Sequence, residues 1–246
     1  MTAGLKTRAA GFVIYDGPSM IDGERIVVIV TGLTGSRNTK TGKMVQTYII
    51  RPDMHPLEAV RQGADRSICG DCVHRGDGTG KGRSCYVTLI HGPSNVYRSY
   101  LRGVYPAATA AEVAEIVKDK MIRLGTYGDP AAAPLALWDM LVSKAEGWTG
   151  YTHQWRKAEA GWNRLVMASA DSLTDMKAAW LRGFRTFRVG TEAVAGREVN
   201  CPASEEAGKR TQCISCKLCM GSTSKAPVSI QIAPHGAGAV HYREAA

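Results

Sequence analysis

Seven cysteines in two sets are the residues of this 246-residue sequence whose type and spacing can do chemistry. The first set reads Cys69-x2-Cys72, then a glycine-rich basic run, then Cys85 followed at once by Tyr86. Three thiolates around one loop suit a soft metal or an iron–sulfur cluster, and a four-iron cluster on three thiolates keeps one iron open for another ligand. Arg66, His74, Arg75, Lys81 and Arg83 surround these thiols, and basic neighbours lower a thiol pKa. Gly76, Gly78, Gly80 and Gly82 allow a tight fold around an inorganic core. The same Cys-x2-Cys pair can instead open a structural zinc site completed elsewhere, so this stretch by itself leaves cluster and zinc both open.

The second set is Cys201-x11-Cys213-x2-Cys216-x2-Cys219. Adjacent x2–x2 spacing is characteristic of iron–sulfur ligation, and an upstream cysteine closes a four-thiolate site. A four-thiolate zinc site is the alternative. An odd number of clustered cysteines argues for metal over disulfides. Three plus four fits one open and one closed site. The chain is then expected to hold one or two [4Fe–4S] clusters, or zinc.

These ligands need elements to position them. Phe12–Tyr15, Arg25–Thr31 and Val45–Arg51 read as strands of a small antiparallel unit, with 35–42 as a solvated polar turn. Pro56–Gly63 reads as a short helix, and residues 87–106 carry no clean period. From about residue 109 helices and strands alternate. Thr109–Lys120, Pro134–Lys144 and Leu173–Gly183 are helical; Met121–Tyr127, Gly150–His153, Arg164–Ser169, Thr186–Gly190 and Ile230–Ala233 are strands. That order predicts βα units and a parallel sheet. Polar residues gather just after the strands: Asp129, Thr152-His153, Ser169, Asp171-Ser172 and His235. In parallel βα architectures that edge binds ligands. Each also has a plain role, Asp129 and Ser172 as helix caps and the histidines as satisfied partly buried groups.

Composition bounds the rest. The apolar fraction of 44% supports a sizeable core. No apolar run approaches the ~20 residues of a membrane-spanning helix. The first residues lack a long apolar leader segment, which places the protein in the cytoplasm. The net charge of +9 is spread along the chain. A solvated surface accounts for it, and nucleic acid is the partner it admits.

Taken together, the motif order resembles the radical S-adenosylmethionine enzymes, which hold a four-iron cluster on three cysteines in a loop of a partial (βα) barrel. Cys69, Cys72 and Cys85 stand for those cysteines, although twelve residues separate Cys72 from Cys85 where the family has two. Tyr127-Gly128-Asp129-Pro130 stands for the family's glycine-rich turn, which contacts the cofactor's amino group. More closely, most of residues 65–240 is similar to the phage gene product eighty-eight family. The likeness rests on the cysteine loop ending in Cys85-Tyr86, the strand ending in Gly128-Asp129-Pro130, the 151–156 and 168–172 segments, and the terminal cysteine run.

The resemblance implies an iron–sulfur enzyme of phage origin in a host cytoplasm. It would deliver one electron to the sulfonium of S-adenosylmethionine to generate a 5′-deoxyadenosyl radical. Gly128, Asp129, Pro130, His153, Ser169 and Asp171 are the implied cofactor or substrate contacts. The last four cysteines would hold an auxiliary cluster, unless one cluster is shared between the sets. The expected architecture is an α/β fold in two parts. Residues 1–60 form a β-hairpin appendage, and 61–246 form a partial (βα) barrel with cysteine loops at 69–85 and 201–219. A zinc-containing nucleic-acid-binding protein without catalysis is the other reading.

Overall fold

A computed structural model of the protein describes residues 9–35, 39–208, 210–223 and 228–243. Three strands come first: β1 (Gly11–Pro18), β2 (Arg25–Thr31) and β3 (Val45–Ile50). Three helices follow around the first cysteine set: α1 (Pro56–Arg61), α2 (Arg66–Cys69) and α3 (Gly92–Leu101). The alternating part comprises α4 (Ala110–Ile116), β4 (Met121–Tyr127), α5 (Leu135–Val142), β5 (Gly147–Thr149), β6 (Tyr151–Thr152), α6 (Trp162–Leu165), β7 (Met167–Ala170), α7 (Leu173–Leu181) and β8 (Thr186–Val189). It ends with β9 (Glu198–Asn200), α8 (Cys213–Cys216) and β10 (Ser229–Ile232).

The strands form two five-stranded sheets, β1-β2-β3-β4-β5 and β6-β7-β8-β10-β9. β1, β2 and β3 pair antiparallel, whereas β3, β4 and β5 pair parallel, so the N-terminal strands are hydrogen-bonded directly into the parallel strands. Every pairing in the second sheet is parallel. Only Gly150 lies between β5 and β6. Its carbonyl accepts from Met167 N at 3.0 Å and its N–H donates to the Cys219 carbonyl at 3.3 Å. A Cβ there would sit 2.7 Å from Val166 Cγ1. One glycine therefore joins the two sheets and anchors the second cysteine run.

The sequence patterns explain most of these elements. The β-branched run Ile26–Val30 is buried on both faces of β2, as expected for a strand covered on each side. Thr109 and Glu112 make a reciprocal capping box at the start of α4. Burying side chains such as Ile49, Leu124 and Leu141 contributes roughly 1.5–3 kcal/mol each. Three readings are corrected. Residues 92–101, where no period was legible, form α3, which buries Pro93, Ser94, Val96 and Tyr97 on one helical face. Arg164 and Leu165 belong to α6, and the strand starts at Met167. The turn over 35–42 is not a solvated tip at its described end: Thr41 is 2% exposed and Lys40 lines the central cavity, while 36–38 lie outside the described residues.

The turn after β4 is fixed by close approach. Gly128 has φ +86°, and an added Cβ would lie 2.7 Å from Ile49 Cβ and 3.2 Å from the Ile68 carbonyl oxygen. The next N–H, of Asp129, donates to that same Ile68 carbonyl at 2.6 Å, holding the residue before Cys69. Gly128→Ala combines a disfavoured backbone with overpacking and is expected to cost on the order of 3 kcal/mol. Thermal unfolding of the variant checks this; an unchanged melting temperature would show that the turn relaxes freely.

Candidate metal and cofactor site

All seven cysteines line one central cavity of about 180 Å³, together with Gly128, Asp129, His153, Ser169 and Asp171. Pro130 does not line it. That residue is buried, and its carbonyl accepts from Trp138 Nε1 at 2.8 Å. None of the cysteines is in a disulfide.

Cys69 and Cys72 lie where β4 and β6 end, whereas Cys213 and Cys219 are tied to the residues before β3 and before β6. Cys69 follows Ile68, which the turn after β4 holds, and the Gln154 side chain after β6 donates to the Cys69 carbonyl at 3.5 Å. Cys72 lies beside His153, at the end of β6. Cys201, Cys213 and Cys219 share an apolar cluster with Met44, Met121, Met167, Ile230 and Ile232, and Cys201 follows the end of β9, its N–H donating to the Gln231 carbonyl at 2.8 Å. The Cys213 N–H donates to the Lys40 carbonyl at 3.0 Å, which ties α8 to the turn before β3.

The long spacing between Cys72 and Cys85 is closed by a returning loop. The Cys85 N–H donates to the His74 carbonyl at 3.1 Å, so Cys85 lies against the residue two after Cys72. Gly76 makes the return feasible: a Cβ there would come within 2.3 Å of the Lys81 carbonyl oxygen. Arg75 pins the loop base by pairing with Asp65 at 2.5 Å and donating to the carbonyls of Gly70 and Gly63, each at 3.0 Å. That spends the guanidinium inside the loop.

The expected lowering of thiol pKa is corrected by this geometry. Burial pushes Cys69 well up, with Cys72 and Asp65 adding to it. Burial also pushes Cys85 up, more than the Arg83 charge brings it down. In the second set burial raises Cys213 and Cys216, and takes Cys219 to about 12. These thiols are neutral in the metal-free chain, and a metal must displace their protons.

Between the sets stands Arg123, on β4. It is 7% exposed, it donates to the Tyr86 hydroxyl, and its guanidinium lies 5.7 Å from the centre of the Tyr151 ring. Among the described residues no carboxylate bridges it. Burial opposes its charge, and its nearest electrostatic neighbours are the Tyr86 and Tyr151 hydroxyls and the Cys213 and Cys219 sulfurs. Tyr86 presents 46% of its surface, yet presents it to the cavity, where it stacks on His235 with centroids 5.2 Å apart. Lys40 Nζ lies 3.4 Å from His235 Nε2 on the same wall. The sequence signal for Arg123 was a lone charge inside the otherwise apolar 121–124 run. Lys40 gave none, because its turn reads as solvent-facing.

Asp129 is buried and fully engaged. Its Oδ1 accepts from Ala131 N at 3.0 Å, its Oδ2 from His153 N at 2.8 Å, and the Thr152 hydroxyl also reaches it. Burial still raises its pKa. It caps the turn after β4 and fixes the backbone of His153. Ser169 sits on β7, where its carbonyl accepts from Trp155 Nε1 at 3.0 Å. His153 Nε2 lies 3.3 Å from Asp171 Oδ1, and His74 Nε2 lies 3.6 Å from the same oxygen. Burial favours neutral His153, but Cys72 and Asp171 outweigh it and raise its pKa well above the ordinary value. Burial and the neighbouring His153 take His74 down to about 4. In the sequence His74 stands only as a basic neighbour of the thiols.

A scan against protein-family models, a search of curated proteins and a search of solved structures each found no match for this chain. No helix among the described residues is long and apolar enough to cross a membrane.

Proposed function

We propose that the chain is an iron–sulfur protein with two thiolate centres, and that it is an enzyme of radical S-adenosylmethionine type on a partial (βα) barrel. The observation that carries the reading is the cavity, lined by all seven free thiols. Their separation supports clusters over single ions. A tetrahedral zinc with 2.3 Å bonds brings its sulfurs to about 3.8 Å of one another. No three of these thiols have their sulfurs all within 4.8 Å of one another. A cube of iron and sulfide spreads its thiolates wider than a single ion does. Arg123, buried with no carboxylate bridging it among the described residues, supplies the positive charge that an anionic thiolate centre needs.

On this reading Cys69, Cys72 and Cys85 hold the open cluster, and Cys201, Cys213, Cys216 and Cys219 hold the closed one. When bound, the open cluster supplies an electron to S-adenosylmethionine. The chain's own residues do the positioning. The 128–129 turn clamps the strand end beneath Cys69, and Asp129 sets the His153 backbone. Ser169, His153 and Asp171 offer polar contacts to a small molecule in the cavity.

Anaerobic purification with iron, sulfide and EPR measurement tests the first part of the reading. Addition of S-adenosylmethionine with dithionite tests the second. Brown protein that changes its spectrum with the cofactor and forms 5′-deoxyadenosine is the expected result. Colourless protein containing zinc would replace the reading with the structural, nucleic-acid-binding one. Iron that ignores the cofactor would leave clusters without this chemistry.

A further inference from the structure

We infer that His74, His153 and Asp171 form a separate mononuclear site for a divalent first-row metal ion, beside the first cysteine set. The three side chains come from separate elements: the turn after Cys72, the end of β6 and the segment after β7. Their ligand atoms all lie within 4.8 Å of one another. Both imidazole Nε2 atoms approach the same carboxylate oxygen, at 3.3 and 3.6 Å. Metal bonds of 2.0–2.1 Å at tetrahedral angles put neighbouring ligand atoms about 3.3–3.4 Å apart, so a small inward shift completes the set. Two imidazoles and a carboxylate suit zinc, iron(II), cobalt or manganese and leave coordination positions open.

Two further observations point to a missing ligand partner. His74 Nε2 is buried and has no hydrogen-bond partner. A plain ion pair of His153 with Asp171 would leave it so. On the other side of that ring, Nδ1 lies 2.8 Å from the Ser84 hydroxyl. Such an outer partner fixes the ring and frees Nε2 for a metal. The side chains are 12–15% exposed, enough for an ion to arrive. His153 and Asp171 also line an outer cleft with Asp71, Arg156, Lys157 and Asp175, which gives a route from solvent. An ion held there would face the cavity and polarise an oxygen or nitrogen of a bound small molecule.

The site rests on imidazoles and a carboxylate, so it stands whether the thiolates hold iron or zinc. The experiment adds Co²⁺ anaerobically to the purified protein with its cysteine centres filled, then counts cobalt after desalting and records the visible spectrum. One cobalt per chain is expected, with ligand-field bands and little sulfur-to-metal absorption. His74→Gln and Asp171→Asn should lose it. Ser84→Ala, which touches no ligand atom, should weaken binding roughly 10- to 100-fold while leaving the circular dichroism unchanged. No cobalt bound by the wild type would overturn the site. So would equal binding by all three variants, or bound cobalt dominated by sulfur absorption. Iron content is read separately, so failure here is distinct from failure of the cluster reading.

Discussion

Cys213→Ala is expected to empty the four-thiolate end and to loosen the chain over residues 198–222, whereas Cys72→Ala leaves a folded protein with reduced iron and no response to S-adenosylmethionine. The difference follows from what each set holds together. Cys201, Cys213 and Cys219 are buried in one cluster with Met44, Met121, Met167 and Ile230. Around them the chain has little regular structure: β9 is three residues long and α8 is four. Two strand starts, the turn before β3 and Gly150 converge on these residues, so metal binding there is folding free energy. Loss of that metal should cost at least about 4 kcal/mol. For a chain of this size that corresponds to roughly 8–16 °C in melting temperature. Cys72 sits in a loop already fixed by Arg75, by the Cys85–His74 backbone bond and by the Asp129–Ile68 bond. Its loss removes a ligand but leaves the frame. Metal analysis and thermal unfolding of both variants check this. If both lose the same iron and the same spectrum, one shared cluster replaces two centres.

Arg123→Met should make the protein less sensitive to losing its metal. In the wild type, removal of an anionic thiolate centre leaves a guanidinium buried among Tyr86, Tyr151 and neutral thiols, with no carboxylate pairing it among the described residues. An uncompensated buried charge costs about 3–5 kcal/mol. The variant lacks that charge, so the drop in stability on chelation should be smaller by about 3 kcal/mol. With the metal present the order reverses, because the centre has lost its counter-charge. If that centre is an iron–sulfur cluster, its reduction potential should fall, since net charge helps set it. A single 1.4 kcal/mol of lost stabilisation is about 59 mV for one electron. Melting temperatures of holo and chelated forms, wild type against variant, make the comparison. Equal losses in the two proteins would show that Arg123 does not serve the thiolate centre.

Local signals made much of this protein legible in its sequence. The β-branched run at 25–31, the capping box at Thr109, the 121–127 strand and the 173–181 helix are each dictated by a handful of neighbouring residues. The division of cysteines into three and four could be read from spacing, as could the placement of Asp129, His153 and Asp171 beyond strand ends, whereas Ser169 lies within β7. Tertiary structure decided where these groups meet. Spacing along the chain does not reveal that residues 76–83 double back to bring Cys85 against His74, because that depends on glycine turns and on Arg75 reaching Asp65. Nor does it reveal that the second cysteine run is tied to the turn before β3 and to the β5–β6 junction, where Lys40 and Gly150 bond to residues 173 and 69 positions further on. The thiol pKa values depend on burial, which is a property of the whole packed chain, and burial overrides the basic neighbours. Arg123 and His74 acquire their meaning in the same way. Each is an ordinary charged or polar residue in sequence, and only the packed chain encloses one with no carboxylate, and the other with no hydrogen-bond partner for its Nε2, among the described residues.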